Sequence, residues 1–337
     1  MPFIDDILKY KSLSIIGMAK NTGKTECLNY IIRRLKDYRK KLAITSIGID
    51  GESIDQVTNT HKPEIEIPEN TIFVTSEKHY KEKKIIAEIL DVSERTTSLG
   101  RLITARSKNS GKLIFSGPSS TQWLKEIIDK MPYYGAEITL VDGALSRKSL
   151  ASPSITDSMI LTTGAALSAN IPTLVKQTKF TYTLINLDKF DSILNDKLIK
   201  IDKGLWAIDK ENNLYDLQIR STLLLEKFKD KLLMYGNTIF VSGILTDKIL
   251  DILRVQKNIK ETIIVVKDFT KIFVSPEAYN SYISKGGKIV VLLKTKLIAV
   301  CVNPVSPEGY ILDSDKLIEA LSENIKLPVY NIKSDQY

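Results

Sequence analysis

The sequence is poor in cysteine and histidine, with two of each in 337 residues. Cys27 and Cys301 cannot build a disulfide framework, and His61 and His79 form no cluster at zinc-ligand spacing. Long apolar runs are missing too. The longest, Ile289 to Leu293 and Leu297 to Val302, fall far short of the ~20 residues a membrane-spanning helix requires. Met1 to Lys11 lacks the apolar segment of a signal peptide, so the expected setting is a reducing cytoplasm with no membrane partner. No Ser-His-Asp or Cys-His nucleophile arrangement is legible.

What is present suits a globular chain. With 43% hydrophobic and 26% charged residues, the length allows two ordinary domains, each with its own core. The net charge of +8 is spread thinly: residues 1–190 hold 27 Lys+Arg against 21 Asp+Glu, and the remainder 21 against 19. The densest basic stretch, Arg33 to Lys41, falls at the end of the first predicted helix, where cations suit the negative end of the helix dipole. No aromatic residues are interleaved with it in the manner that stacks bases, so no nucleic-acid partner is expected.

Residues 1–190 alternate strand and helix. Ser12 to Ile16, Leu42 to Ile49, Thr71 to Thr75 and the apolar "ITLVDGA" read as strands. Thr25 to Tyr38 and Lys78 to Leu90 have helical spacing, and "GPSSTQWLKEIIDKM" starts a helix from Ser or Thr caps. Leu102 to Ala105 and Leu113 to Phe115 flank "SKNSGK" as a candidate hairpin. Such alternation predicts an α/β fold, a mainly parallel sheet with helices on both faces. Near residue 190 the texture becomes charged and weakly patterned. The boundary is placed there, with residues 191–337 as a second, smaller α/β domain for partner or client contact.

The chemistry sits in "SLSIIGMAKNTGKTECLNYII". A strand, a loop and an amphipathic helix surround Gly23-Lys24-Thr25, the arrangement of a P-loop, in which consecutive backbone N–H groups at a helix N-terminus hold phosphates. Gly23 lets the backbone approach, Lys24 supplies a point charge for the β and γ phosphates, and the Thr25 hydroxyl is a ligand for Mg²⁺. Lys20, Asn21 and Thr22 complete the candidate ATP-binding loop. The pattern G-x-x-x-x-G-K-[ST] fails once: its first glycine falls on Met18, with Gly17 one residue early, which implies a longer loop or a reshaped first turn. Lys20 loosely resembles the extra loop lysine of the MinD and nitrogenase iron-protein group, whose position falls on Ala19 here.

Supporting acids belong at the C-terminal ends of neighbouring strands. Asp142 ends "ITLVD" as a Walker-B acid would, and Asp50 ends "ITSIGID" with Glu52 and Asp55 behind it. Asp142 and Asp50 together with Lys24 are the candidate catalytic residues, and with Thr25 the candidate metal ligands. Gly117, Ser119, Gly143 and Ser146 allow close approach to a ligand, and Arg147 suits a phosphate; the same residues equally suit ordinary strand-to-helix turns. His61 and His79 read as exposed.

The run "YKSLSIIGMAKNTGKT", with "TSIGIDGESIDQVTNTHKPEI", "SGPSS" and "TLVDGALSRKSLASPSITDSMILTTGAALS", resembles the KamB family, the smaller subunit of the lysine 5,6-aminomutase reactivase. The similarity is tightest over residues 10–175. It implies a protein acting beside a MutS-like ATPase subunit on a coenzyme-B12 and pyridoxal-phosphate dependent client, lysine 5,6-aminomutase, with ATP driving exchange of damaged cobalamin. No Asp-x-His-x-x-Gly is present, so cobalamin is expected to stay with the client. Two other classes fit the loop: a small-molecule kinase or ATP-dependent ligase of the dethiobiotin-synthetase type, and a scaffold that binds nucleotide without hydrolysing it.

Overall fold

A computed structural model describes residues 3–47, 65–118, 120–144, 152, 155–219, 225 and 231–333. In chain order the first elements are α1 (Phe3–Ile7), β1 (Ser12–Gly17), α2 (Lys24–Asp37), β2 (Leu42–Ser46), β3 (Ile65–Ile67) and β4 (Ile72–Ser76). There follow α3 (Glu77–Glu82), β5 (Ala87–Thr97), β6 (Gly100–Ser107), β7 (Gly111–Leu113), α4 (Thr121–Lys130), β8 (Ile138–Ala144), β9 (Ser158–Gly164) and α5 (Ile171–Ile185).

A second compact unit, residues 180–294, carries α6 (Asn195–Ile199), β10 (Leu205–Ile208), β11 (Leu214–Asp216), β12 (Thr238–Val241), β13 (Leu245–Thr246) and α7 (Asp247–Leu253). It continues through β14 (Ile263–Val266), β15 (Ile272–Phe273), α8 (Pro276–Ser284) and β16 (Lys288–Val291). Its sheet has the order β11-β10-β12-β14-β16, with β12, β14 and β16 parallel. The chain then returns to the first unit as β17 (Lys296–Asn303), α9 (Ser314–Asn324) and β18 (Val329–Asn331).

The first unit is built on a nine-stranded sheet of order β18-β17-β9-β1-β8-β2-β4-β6-β5, in which only the β4–β6 and β6–β5 pairings are antiparallel. Alternation along the strands shows that both faces are covered. Leu42, Ile44, Phe73 and Ile103 pack with Phe3 of α1 and Leu28, Ile31 and Leu35 of α2, whereas Ala43, Ile72, Val74 and Leu102 pack with Trp123 and Ile127 of α4. A 14-residue helix is marginal alone. Each buried Leu or Ile contributes roughly 1.5–3 kcal/mol, so it is packing that holds α2, and with it the helix N-terminus, in place.

Three expectations need correction. Residues 295–337 belong with the first unit and not with a C-terminal domain, because β17 pairs in parallel with β9 and β18 with β17. The helix expected over Lys78 to Leu90 stops at Glu82, and Ala87 onward forms β5, which pairs with β6 as the hairpin. The expected hairpin does not form: β7 pairs instead with β3. "KIIAEILDV" satisfies both a helical and an alternating reading, and the β6 edge decides between them.

Cys27 of α2 and Cys301 of β17 meet in the core with their Sγ atoms 3.7 Å apart, both fully buried as free thiols. The contact with Cys301, and then burial, push the Cys27 thiol well up from its ordinary value. The thiolate is the reactive form, so neither cysteine should react with an aromatic disulfide reagent in the native protein, and both should titrate in denaturant. Fast labelling of the native chain would contradict this packing. Among the described residues, no helix is long and apolar enough to cross a membrane.

Candidate functional site

The loop after β1 stands where the sheet's connections diverge. From β1 the chain crosses through α2 toward β2 and β4, whereas from β9 it goes to β17 on the opposite side. Crevices outside the C-terminal ends of parallel strands at such a point are where α/β sheets bind ligands. The loops after β1 and β9 therefore face one another, and Met18 N–H donates to the Thr162 carbonyl at 2.9 Å.

The loop is tightly specified. A Cβ on Gly17 would lie 2.6 Å from Thr22 Oγ1 and 2.8 and 2.9 Å from Lys24 Cγ and Cδ, so the Lys24 side chain folds back across the end of β1. Only a glycine leaves room for it. Counted from Gly17, the loop is one residue longer than the pattern G-x-x-x-x-G-K-[ST]. Thr22 is fully buried; its Oγ1 donates to the Ala19 carbonyl at 2.9 Å and lies 3.1 Å from Thr162 Oγ1. Its side chain serves the loop itself, so what it offers a ligand is its backbone N–H. Asn21 adopts φ 60°, in the left-handed region that asparagine tolerates better than most residues.

Helix α2 begins at Lys24, with Gly23 at the N-cap, φ 90°, and no side-chain hydrogen bond capping the end. Natural helices usually satisfy these first N–H groups with Ser, Thr, Asp or Asn. Here the electropositive end also carries a lysine, where the helix dipole disfavours a cation. Backbone N–H groups at a helix N-terminus, with a lysine beside them, are the kind of groups that suit an anion. Lys24 and Thr25 are half-buried, and Lys20 is exposed.

Asp142 of β8 is in register with Ile15 of β1 and Ser46 of β2. Two residues beyond the core residue Leu140, it lies on the face that α2 covers, half-buried, with its Oδ1 shielded from solvent. Asp50, Glu52, Asp55, His61, Ser119, Ser146 and Arg147 lie outside the described residues. Among the described residues no group of three His, Cys, Asp or Glu side chains could hold a metal ion. Mg²⁺ does not require one, since it is commonly held by one or two protein oxygens together with phosphates and water. Thr25 and Asp142 fit that role.

One side chain differs from expectation, and one open reading is decided. His79 is buried, with Nδ1 3.0 Å from Ser116 Oγ, which in turn accepts from Ser76 N–H at 2.9 Å. Gly117 gives close approach to protein and not to ligand: a Cβ there would lie 1.6 Å from the Ser46 carbonyl oxygen.

Sequence reasoning missed the residues of the returning segment. Asn303, at the end of β17, donates from Nδ2 to the Asn21 carbonyl at 3.1 Å, and Ile332 Cδ1 would sit 2.3 Å from a Cβ on Gly23. The signal was present, because "LIAVCVN" is an apolar strand ending on a polar residue, like "ITLVD". It pointed nowhere until β17 was placed in the first sheet.

A cavity of about 340 Å³ lies elsewhere, floored by Val74, Leu102, Trp123 and Ile127. Its polar rim is internally satisfied: Arg95 pairs with Glu126 at 2.8 Å, and Tyr134 donates to Asp91 at 3.0 Å. Burial and that bond push the Tyr134 hydroxyl up to about 12.

Comparison with protein-family models and with curated proteins finds no match for this chain.

Proposed function

We propose that this chain is a P-loop-type ATP-binding protein, and that it serves as the ATP-binding subunit of a reactivating factor for a coenzyme-B12-dependent lysine aminomutase. One observation carries the nucleotide reading: the N-terminus of α2 opens at a left-handed Gly23, with the Lys24 side chain folded back over Gly17. The resemblance to the KamB family supports the choice of client and of a MutS-like ATPase partner.

In this reading the backbone N–H groups of residues 21–25 and the Lys24 ammonium hold the β and γ phosphates. Thr25 and Asp142 are the ligands proposed for Mg²⁺, and Asp50, outside the described residues, is proposed to join Asp142 in holding the metal or orienting water. Mg²⁺ held there would supply charge neutralisation for the phosphates. Loops ordered by the γ-phosphate relax on hydrolysis, which is how a P-loop drives opening of a client complex. The second unit, residues 180–294, is assigned to partner or client contact.

The test is calorimetry of the full chain with MgATP and MgGTP, followed by phosphate release with the chain alone and with the partner subunit. Saturable MgATP binding, with turnover alone or stimulated by the partner, is expected. Turnover only with an added metabolite would replace this reading with the kinase or ligase class. Binding with no turnover under any condition would make the chain a nucleotide-binding scaffold, and no nucleotide binding, alone or in complex, would end the P-loop assignment.

A further inference from the structure

We infer that Asn303 is a positioning residue of the phosphate loop, setting the Asn21 carbonyl and with it the direction of the following N–H before any nucleotide arrives. The inference rests on the phosphate-site reading above. Between Gly17 and Lys24 the loop follows neither helix nor strand, and Asn21 takes φ 60°. Such a segment holds one shape only if neighbours fix it.

Asn303 is placed to do so. It is 8% exposed, and both ends of its carboxamide are engaged: Nδ2 donates to the Asn21 carbonyl at 3.1 Å, and Oδ1 accepts from Val305 N–H at 3.2 Å. A carbonyl can only accept and an amide N–H can only donate, so the two partners fix which end of the side chain points to the loop. Its own backbone is equally constrained, because the Asn303 carbonyl accepts from Ala165 N–H at 2.9 Å. One residue thereby ties together the loops that follow β1, β9 and β17. Because a trans peptide is planar, with its C=O and N–H opposed, holding the Asn21 carbonyl also aims the Thr22 N–H. Donors aimed in advance need no reordering on binding, which is where affinity for a charged ligand is lost in a loose loop.

The experiment is calorimetry of the full chain with MgATP and with magnesium tripolyphosphate, which has the phosphates but neither base nor ribose. Wild type, Lys24→Ala, Asn303→Ala and Asn303→Asp are compared, with thermal unfolding measured in parallel. Asn303→Asp keeps the volume and the acceptor for Val305 while removing the donor, and covers the case in which the alanine variant folds poorly. Asn303→Ala should weaken both ligands by the same factor, roughly 5- to 10-fold, the worth of one hydrogen bond. Asn303→Asp should weaken both further, since an anionic oxygen then faces the Asn21 carbonyl and the site.

Loss of MgATP affinity alone, with tripolyphosphate unaffected, would mean that Asn303 contacts the nucleoside, and would overturn the inference. Unchanged affinity for both ligands in a folded variant would reduce Asn303 to a structural residue and overturn it equally, while the loss in Lys24→Ala left the phosphate site standing. If wild type binds neither ligand, the phosphate-site reading fails and the inference falls with it.

Discussion

Lys24→Ala should weaken MgATP binding by roughly 10- to 100-fold while leaving the ligand-free chain folded. The first half follows from removing a charged donor to the phosphates, for which hydrogen bonds are worth about 1.5–3 kcal/mol. The second half follows from where the lysine sits. It is the first residue of α2, half-buried beside the positive end of the helix dipole, with no side-chain cap. A cation at that end costs about 0.3–1 kcal/mol, and alanine is the better helix former. The opposite result, a large drop in melting temperature with nucleotide affinity intact, would show that Lys24 serves the core and not a phosphate.

Gly164→Ala is expected to cost about 3 kcal/mol or more and to remove nucleotide binding with it. Two independent effects add. The residue has φ 155°, a region that is essentially glycine's alone, which costs about 1–3 kcal/mol for any other residue. A Cβ there would also stand 2.0 Å from the Asn303 carbonyl oxygen and within 2.9 Å of its carbonyl carbon and nitrogen, all backbone atoms that no rotamer change can move. Relief requires β9 and β17 to separate where they flank the loop, so the loss of stability and the loss of binding share one cause.

Gly309→Ala supplies the control, since φ is 92° there and nothing lies within 4 Å of the added carbon. It should cost only the backbone term, about 1 kcal/mol. The two tryptophans lie one in each unit, Trp123 in the first and Trp206 in the second. A Trp206→Phe background therefore lets urea unfolding of the first unit be followed by Trp123 fluorescence. A Gly164→Ala cost no larger than that of Gly309→Ala would refute the steric reading.

The two substitutions touch parts of the site that differed in legibility. The stretch from Ser12 to Tyr38 could be read directly, because strand, loop and helix are consecutive and each has its own short-range signature: an apolar run, a Gly-Lys-Thr, and apolar residues at helical spacing. Asp142 was legible as an acid ending an apolar strand. Its place on the face covered by α2 follows only from its register with Ile15. Helix α4 and its Ser120 cap, which accepts from Trp123 N–H at 3.3 Å, were likewise local and readable.

The failures share a different cause. "KIIAEILDV" carries enough branched and apolar residues for either helix or strand, and β5 forms because the β6 edge is there to pair with it. His79 reads as an exposed helix-start residue until Ser116, which is 37 positions away, closes over it. Residues 295–337 follow the second unit in sequence and so read as its continuation, yet β17 pairs with β9, more than a hundred residues earlier.

The sequence by itself determined the α/β alternation, the consecutive strand, loop and helix around Gly23, Lys24 and Thr25, and the acid at the end of β8. All of these rest on periodicity and spacing over ten to twenty residues, which backbone geometry translates directly into elements. Only the tertiary structure decided that Lys24 folds back over Gly17, that the final segment returns to the first sheet, and that Asn303 bonds to the Asn21 carbonyl. Those depend on which strand lies beside which, and strand order is set by burial of whole faces and by long-range pairing, neither of which leaves a mark on a single stretch of sequence.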